Sequence, residues 1–121
     1  MVEVKIDKAR NLVVVTFAGH VDRAQAQQKL YKVAAALEGM KPGFRLLTDL
    51  SGLDSMEYDC APAISATMDL FRKKGVAEVV RVVPDPHKDI GFKVMSLFHY
   101  GRKVPVLTCE TRAEALEKLS A

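Results

Sequence analysis

Apolar and polar residues follow two different periods along this chain, one typical of strands and one typical of helices. Residues 2–6 alternate apolar and charged side chains, and residues 12–17 form a mostly β-branched, apolar run. The mostly polar residues 7–11 lie between them, where a turn is expected. The pattern predicts an N-terminal β-hairpin.

The period changes to that of a helix after Val21. Asp22 is suited to cap this helix, Gln25 occupies the capping-box position, and Val21 can pack onto Ala26. Apolar residues then recur at helical spacing and end before Gly39, which favours termination: Ala26, Leu30, Val33 and Leu37. The opposite face of the helix is expected to be exposed at Arg23, Gln27, Gln28 and Lys32.

A second apolar run begins at Phe44 and ends at Asp49, after which Ser51 and Gly52 indicate a turn. This pattern is typical of a buried strand that delivers polar groups into the turn before a helix. Asp59 is the expected cap of that helix. The helix then has Pro62 in its first turn, inward residues Ile64, Met68 and Phe71, and an end at Gly75.

The strand and helix alternation continues to the C-terminus. Residues 79–83 are nearly all valine, which suits a strand covered on both faces in a parallel sheet. Residues 104–107 predict a short edge strand, because Pro105 lacks a backbone donor. Two helices are predicted around this strand. The first begins at Asp85 and Pro86, with Ile90, Val94 and Leu97 or Phe98 inward before Gly101; the last begins with a capping box at Thr111 and Glu114, with Ala115, Leu116 and Leu119 inward.

Together these elements predict an α/β fold in the order ββαβαβαβα: a mixed β-sheet, with an N-terminal hairpin followed by parallel strands, packed with about four helices. The length of 121 residues and the 49% hydrophobic content fit a single domain over residues 1–121. No apolar run approaches the roughly 20 residues that span a bilayer, and the first residues lack the pattern of a signal peptide. We therefore expect a cytoplasmic protein.

The segment Asp49, Leu50, Ser51, Gly52, Leu53 resembles the strand-end signature of the STAS superfamily, the sulfate transporter and anti-sigma factor antagonist domains. The whole chain is most similar to the small, stand-alone SpoIIAA-like members of that superfamily. The resemblance implies a STAS fold and a bacterial-type regulatory role exerted through protein-protein interaction.

In the anti-sigma factor antagonists of this family, a phosphorylated serine begins the helix after that strand. An ungapped comparison from Asp49 puts Tyr58 at this position, and a two-residue insertion would put Cys60 there. Neither residue is serine. Glu57 and Asp59 would also oppose a phosphate on Tyr58. The sequence thus departs from the usual phosphoserine switch.

Motifs of common enzyme sites do not occur in the sequence, which has no Gly-x-Ser-x-Gly elbow, no P-loop and no Rossmann glycine set. The two cysteines adjoin the acidic residues Asp59 and Glu110, which disfavours a thiolate nucleophile, and they are expected to be buried thiols. The histidines are assigned to a loop, a first helical turn and a last helical turn: His20, His87 and His99. We expect neither enzymatic activity nor a cofactor.

Charge also narrows the classes of ligand. The net charge of +3 is small and its basic residues are scattered among acidic ones, so nucleic-acid binding is not expected. The basic clusters at residues 72–74 and 102–103 lie at predicted helix ends, where they oppose the helix dipole. The acidic residues Asp49, Asp54, Glu57 and Asp59 do not have the spacing of a calcium loop, so no metal site is expected.

The sequence therefore predicts a non-enzymatic STAS-like binding or regulatory module, whose partner is a protein or a small apolar ligand. We also expect a homodimer, formed through an edge strand such as residues 104–107. The predicted recognition surface follows the third strand: Asp49, Ser51, Gly52, Ser55, Met56, Tyr58, Asp59 and Cys60. Asp49 can instead have a structural role as acceptor of the Ser51 and Gly52 amides, and turn chemistry alone accounts for its spacing.

Two other functions stay open. One is a carrier of a lipid-like or other apolar ligand, held in a pocket of a few hundred cubic ångströms. Methionine and aromatic residues could line such a pocket, although at helical spacing they more often belong to a core: Met56, Tyr58, Met68, Met95, Phe98 and Tyr100. The other is a phosphorylation-switched anti-sigma factor antagonist.

Overall fold

A computed structural model of the chain describes residues 1–85, 100 and 103–120. Its central feature is a five-stranded sheet in sequential order. The strands are β1 (Val2–Asp7), β2 (Leu12–Val21), β3 (Arg45–Met56), β4 (Glu78–Val82) and β5 (Val106–Cys109). The β1 and β2 pair is antiparallel and all later pairs are parallel, which confirms the predicted mixed sheet.

The helices pack on both faces of this sheet. They are α1 (Arg23–Tyr31), α2 (Val33–Leu37), α3 (Ala61–Lys73) and α4 (Arg112–Ser120), and a 3₁₀ turn at Tyr58–Cys60 runs directly into α3. The helix predicted between Asp85 and Gly101 lies outside the described residues. Within the described part of the chain, no helix is both long enough and apolar enough to cross a bilayer.

The single helix predicted after Val21 is two helices, because the chain departs from helical hydrogen bonding at Lys32. The predicted apolar stripe is nevertheless correct, since its members are all buried: Ala26, Leu30, Val33 and Leu37. No glycine or proline marks the break. The break therefore cannot be predicted from the local residue types. Leu30 before it and Val33 after it are both buried, so the two helices share one apolar face.

Of the four predicted helix caps, two are confirmed, and the one at Asp85 precedes a helix that lies outside the described residues. The Asp22 carboxylate accepts the Gln25 amide at 2.8 Å, and the Thr111 hydroxyl accepts the Glu114 amide at 3.1 Å. The cap predicted at Asp59 is wrong, since Asp59 lies inside the 3₁₀ turn and Cys60 precedes α3 without a side-chain cap. The turn itself supplies the entry into α3, so no capping side chain is needed there.

The turn predicted at Ser51 and Gly52 is wrong as well. β3 continues through both residues to Met56, because β2 extends alongside it to Val21 and supplies a pairing partner. Two register shifts in that pairing absorb the irregular segment. Gly52 serves a close approach, since a Cβ added there would lie 3.3 Å from the Cβ of Ala18.

Each face of the sheet has its own core. The larger core lies under α1, α2 and α3, and includes Val15, Leu46 and Val79. The smaller one lies under α4 and includes Leu47, Val80 and other residues one position away along each strand. In α4, Ala115 and Leu119 are buried as predicted, whereas Leu116 is 37% exposed, so its inward assignment is wrong. Residues 115 and 119 share one helix face, and residue 116 is rotated away from it.

The last two strands are displaced by one or two residues from their predicted positions. β4 begins at Glu78, and β5 covers residues 106–109 rather than 104–107. Pro105 thus precedes the strand, where its carbonyl accepts the Val79 amide at 2.9 Å. β5 is an edge of the described sheet, as expected.

Candidate functional site

Asp49, the first residue of the predicted recognition surface, is buried on the α4 side of the sheet, with 4% of its surface exposed. One carboxylate oxygen, Oδ1, accepts the Ser51 amide at 2.9 Å and the Ser51 hydroxyl at 2.6 Å. The other, Oδ2, accepts Nη1 of Arg112 at 2.9 Å. These contacts join β3 to the first residue of α4, and they support the structural role for Asp49.

The ionisation of Asp49 follows from the same contacts. Burial by itself raises the pKa of this carboxyl. The hydrogen bonds from Ser51, together with the hydrogen bond and positive charge of Arg112, lower the pKa by more than burial raises it, so the net pKa is below its ordinary value. The group is therefore a carboxylate at neutral pH. Both of its oxygens accept hydrogen bonds from within the protein, Oδ1 from Ser51 and Oδ2 from Arg112.

Cys60 also belongs to the interior. The side chain has 0% exposure, and Sγ lies 3.7 Å from the Val21 carbonyl, to which it donates. Burial, together with the nearby carboxylates of Asp59 and Glu57, raises the pKa of the thiol. Cys109 is likewise a buried free thiol, which confirms the expectation for both cysteines.

The remaining predicted residues are more accessible. Ser51 and Gly52 are exposed within β3, and Met56 is half-buried against the larger core. Ser55 is exposed, and its Oγ lies 2.7 Å from Nδ1 of His20. His20 was expected in a loop, but it lies in β2 opposite Ser55, so this pair joins the ends of two adjacent strands.

Tyr58 is almost fully exposed, with 94% of its surface accessible on the 3₁₀ turn. Exposed carboxylates surround it in sequence at Asp54, Glu57 and Asp59. We call this patch the β3-end surface, and define it as His20, Asp54, Ser55, Glu57, Tyr58 and Asp59, all of which are exposed. The structure thus separates two buried structural residues, Asp49 and Cys60, and the half-buried Met56 from the exposed members of the predicted site.

An interior cavity of about 30 Å³ lies between the helices and the sheet. Its lining is apolar apart from Thr48, Thr67, Arg81 and the buried Tyr100. Sequence reasoning missed Arg81, which is 3% exposed in the centre of β4. The sequence could have indicated it, because Arg81 lies among valines in a strand predicted to be covered on both faces, and a charged residue there has to be buried.

A larger, open groove of about 790 Å³ runs between the α1 and α2 pair and α3. Four alanines, together with an exposed tyrosine, a proline and a leucine, form most of its wall: Tyr31, Ala34, Ala35, Pro62, Ala63, Ala66 and Leu70. Among residues 1–85, 100 and 103–120, no group of three or more His, Cys, Asp or Glu side chains could hold a metal ion.

Solved structures share this architecture over the full chain. The anti-sigma factor antagonist SpoIIAA in its unphosphorylated form is 16% identical, with a TM-score of 0.69, and the match covers 100% of this chain and 99% of that one. The chain has a SpoIIAA-like fold. This result confirms the STAS resemblance at the level of structure.

Two further structures give the same fold. An uncharacterized DUF3478-family protein with a SpoIIAA-like fold, from Shewanella loihica, is 18% identical with a TM-score of 0.70, covering 98% of this chain and 92% of its own. The Bacillus cell fate determinant SpoIIAA in its phosphorylated form is 17% identical with a TM-score of 0.68, covering 98% and 99%. No protein-family model matches the sequence, and no curated protein matches it.

Proposed function

We propose that the protein is a non-enzymatic regulatory module that binds a protein partner through the β3-end surface. The observation that carries this proposal is the 94% exposure of Tyr58 at the turn into α3. An aromatic side chain gains much from burial at an interface, and its hydroxyl can still find a hydrogen-bond partner there. Tyr58 would be the anchor of the interface.

The backbone that presents Tyr58 is held in place on both sides. Before it, the Glu57 amide donates to the Val21 carbonyl at 3.0 Å. After it, the buried side chain of Cys60 attaches the turn to the core, and the Cys60 amide donates to the Glu57 carbonyl at 3.0 Å. A surface that is already ordered loses less conformational entropy on binding.

The charge of the β3-end surface indicates the chemistry of the partner. Asp54, Glu57 and Asp59 carry three carboxylates, although the whole chain has a net charge of +3. Such a local field attracts a basic protein surface and repels nucleic-acid phosphates. We propose a partner with Lys or Arg residues around an apolar pocket that takes the Tyr58 ring.

A phosphorylation switch has weaker support. Of the two positions that the resemblance offers, Cys60 is buried, and Tyr58 is accessible but flanked by Glu57 and Asp59. A phosphate on Tyr58 would meet like charges within one residue on either side. We therefore favour binding that does not depend on phosphorylation.

The carrier alternative is also less well supported. Small-molecule sites generally enclose most of the ligand, in volumes of roughly 300–1,000 Å³. The interior cavity measures only about 30 Å³, and the groove of about 790 Å³ is open along its length. A lipid-like ligand would thus be enclosed by neither.

The proposal can be tested by photo-crosslinking in cells that naturally make the protein. A photoreactive phenylalanine analogue replaces Tyr58 in one variant and Tyr31, which is 84% exposed in α1, in the control. We expect the Tyr58 variant to give a discrete protein adduct that the Tyr31 variant does not give. Adducts at neither position, or the same adducts at both, would contradict recognition through Tyr58.

A further inference from the structure

Basic side chains that are scattered along the sequence are gathered at one end of the sheet, opposite the β3-end surface. The parallel strands β2 to β5 all begin at this end, so the segments that lead into them lie side by side. We call this region the basic loop surface, and define it as residues 7–11, 38–45, 72–78 and 103–105. It carries eight basic residues: Lys8, Arg10, Lys41, Arg45, Arg72, Lys73, Lys74 and Lys103.

Hydrogen bonds between these segments hold the surface together. Nδ2 of Asn11 donates to the Lys41 carbonyl at 3.3 Å, and the Arg45 amide donates to the Asn11 carbonyl at 2.9 Å. The Gly43 amide donates to the Gly75 carbonyl at 2.7 Å. Charges from separate parts of the chain are thus presented together on one ordered surface.

The positive charge of this surface is large for its size. Its eight basic residues are accompanied by three acidic ones, Asp7, Glu38 and Glu78, which gives a net charge of +5, whereas the rest of the chain has a net charge of −2. Among residues 1–85, 100 and 103–120, the one ion pair within the surface joins Arg10 to Asp7 at 3.7 Å. The dipoles of α2 and α3, which end here, subtract about one charge, so a strong positive field is left.

The basic loop surface, all of whose residues the structure describes, presents charge without an apolar centre. Its basic side chains are exposed apart from the half-buried Arg45, whereas Phe44 and Val76 are buried and no large hydrophobic side chain is exposed. Protein interfaces generally have aromatic or other apolar residues at their centre. A membrane of anionic lipids needs only charge for its attraction.

The shape of the surface favours a membrane over nucleic acid. Proteins that bind a duplex generally insert a helix or a β-ribbon into a groove, and those that bind single strands stack bases on exposed aromatic rings. Here the charges lie on turns and helix ends that hydrogen bond to one another, and the one aromatic residue among them, Phe44, is buried. The arrangement suits a broad layer of negative charge.

We propose that the basic loop surface docks the protein on a membrane that contains anionic phospholipids. The strand β3 runs from this surface to the β3-end surface and is about 35 Å long at roughly 3.3 Å per residue. The β3-end surface therefore faces away from the membrane and stays accessible to a protein partner. Docking of this kind concentrates the module at the membrane without a spanning helix.

The test is co-sedimentation of the purified full chain with vesicles of equal parts phosphatidylglycerol and phosphatidylcholine. We expect binding in about 0.1 M sodium chloride, loss of binding in about 1 M, where the Debye length falls to about 3 Å, and no binding to pure phosphatidylcholine. The triple variant Lys41→Gln, Lys73→Gln and Lys74→Gln should bind about a hundredfold more weakly, because each basic residue near an anionic leaflet contributes about fivefold.

A matched control removes the same charge from exposed positions on and next to α1: Arg23→Gln, Lys29→Gln and Lys32→Gln. Its affinity should fall less than about threefold, since charges beyond a Debye length of the membrane are screened. Absence of binding to the anionic vesicles, or equal losses in the two triple variants, would overturn the proposal. So would equally tight binding of duplex DNA or polyglutamate at the same concentration of negative charge.

A polarity-sensitive dye tests the orientation, and it keeps the proposal falsifiable if circular dichroism shows that the triple variant does not fold. The dye is attached to Ala9→Cys in the basic loop surface or to Ser55→Cys in the β3-end surface, while the native cysteines are buried. We expect anionic vesicles to shift the emission of the dye at position 9 alone. An equal shift at both positions, or a shift at position 55 alone, would contradict docking through the basic loop surface.

Discussion

Arg112, the first residue of α4, donates Nη1 to Oδ2 of Asp49 in β3 at 2.9 Å, and this ion pair ties the C-terminal helix to the centre of the sheet. The two side chains differ in environment, since 5% of the Asp49 side chain and 45% of the Arg112 side chain are exposed. The buried partner has more to lose if the pair is broken, because water cannot fully replace the guanidinium.

Arg112→Ala should therefore lower the free energy of unfolding by about 1–2 kcal/mol, since it leaves a buried carboxylate with Ser51 alone. Urea denaturation measures the change. The matched control is Arg10→Ala, which removes the exposed ion pair with Asp7 at 3.7 Å and should cost less than about 0.5 kcal/mol. Equal losses in the two variants would show that Asp49 does not depend on its partner.

The same carboxylate predicts a pH dependence of stability. The pKa of Asp49 is lowered below its ordinary value of 3.8, so its contribution is fully present above that value and is lost as the pH falls through the lower, folded-state pKa. The difference in unfolding free energy between wild type and Asp49→Asn should shrink over this acid range. A difference that stays constant between about pH 2 and 7 would contradict an ionised, stabilised Asp49.

The thiols of Cys60 and Cys109 should be unreactive in the folded protein, because both are buried and burial raises the pKa of each. A thiol reagent such as Ellman's should label neither quickly in buffer and both in urea. Ser55→Cys places a thiol on the exposed β3-end surface and serves as the positive control. Rapid labelling of Cys60 in the native protein would reopen its role as a switch.

The edge strand β5 gives a test of the expected homodimer. The Pro105 and Cys109 carbonyls accept the amides of Val79 and Val83, so the backbone groups of these two residues face β4. Successive residues of a strand direct their backbone groups to opposite sides, so the amide and carbonyl of Thr108 face the outer edge of the sheet. Thr108→Pro should convert a dimer into a folded monomer, whereas Thr108→Val, which keeps the amide, should not. Light scattering measures the mass. A monomeric wild type, or a dimeric Thr108→Pro variant, would exclude pairing through β5.

Local patterns were sufficient for much of the fold. The alternation in residues 2–6 and the β-branched run after Leu12 predicted the hairpin, and the caps at Asp22 and Thr111 were recognised from residue types three positions apart. These features depend on neighbours in sequence. The turn predicted at Ser51 and Gly52 was wrong because it too was inferred from neighbours in sequence. Only pairing with the distant, extended end of β2 keeps those residues in a strand.

The candidate site divides in a similar way. The sequence pointed to the segment from Asp49 to Cys60, but exposure within it was not predictable from spacing. Asp49 became a structural residue when the fold brought Arg112 to it from 63 positions away, and Cys60 when the 3₁₀ turn directed it into the core. Tyr58, two positions before Cys60, was left on the surface by that same turn.

The sequence by itself determined the order of strands and helical segments before Asp85, apart from the break at Lys32 and the 3₁₀ turn at Tyr58–Cys60, because periodicity, β-branching and capping act between residues that are close along the chain. Only the tertiary structure decided which side chains meet. His20 with Ser55, Thr48 beside Arg81 and Asp49 with Arg112 each join distant segments, and they depend on strand register and helix placement. Register is set by the burial of whole strand faces, which no single segment specifies.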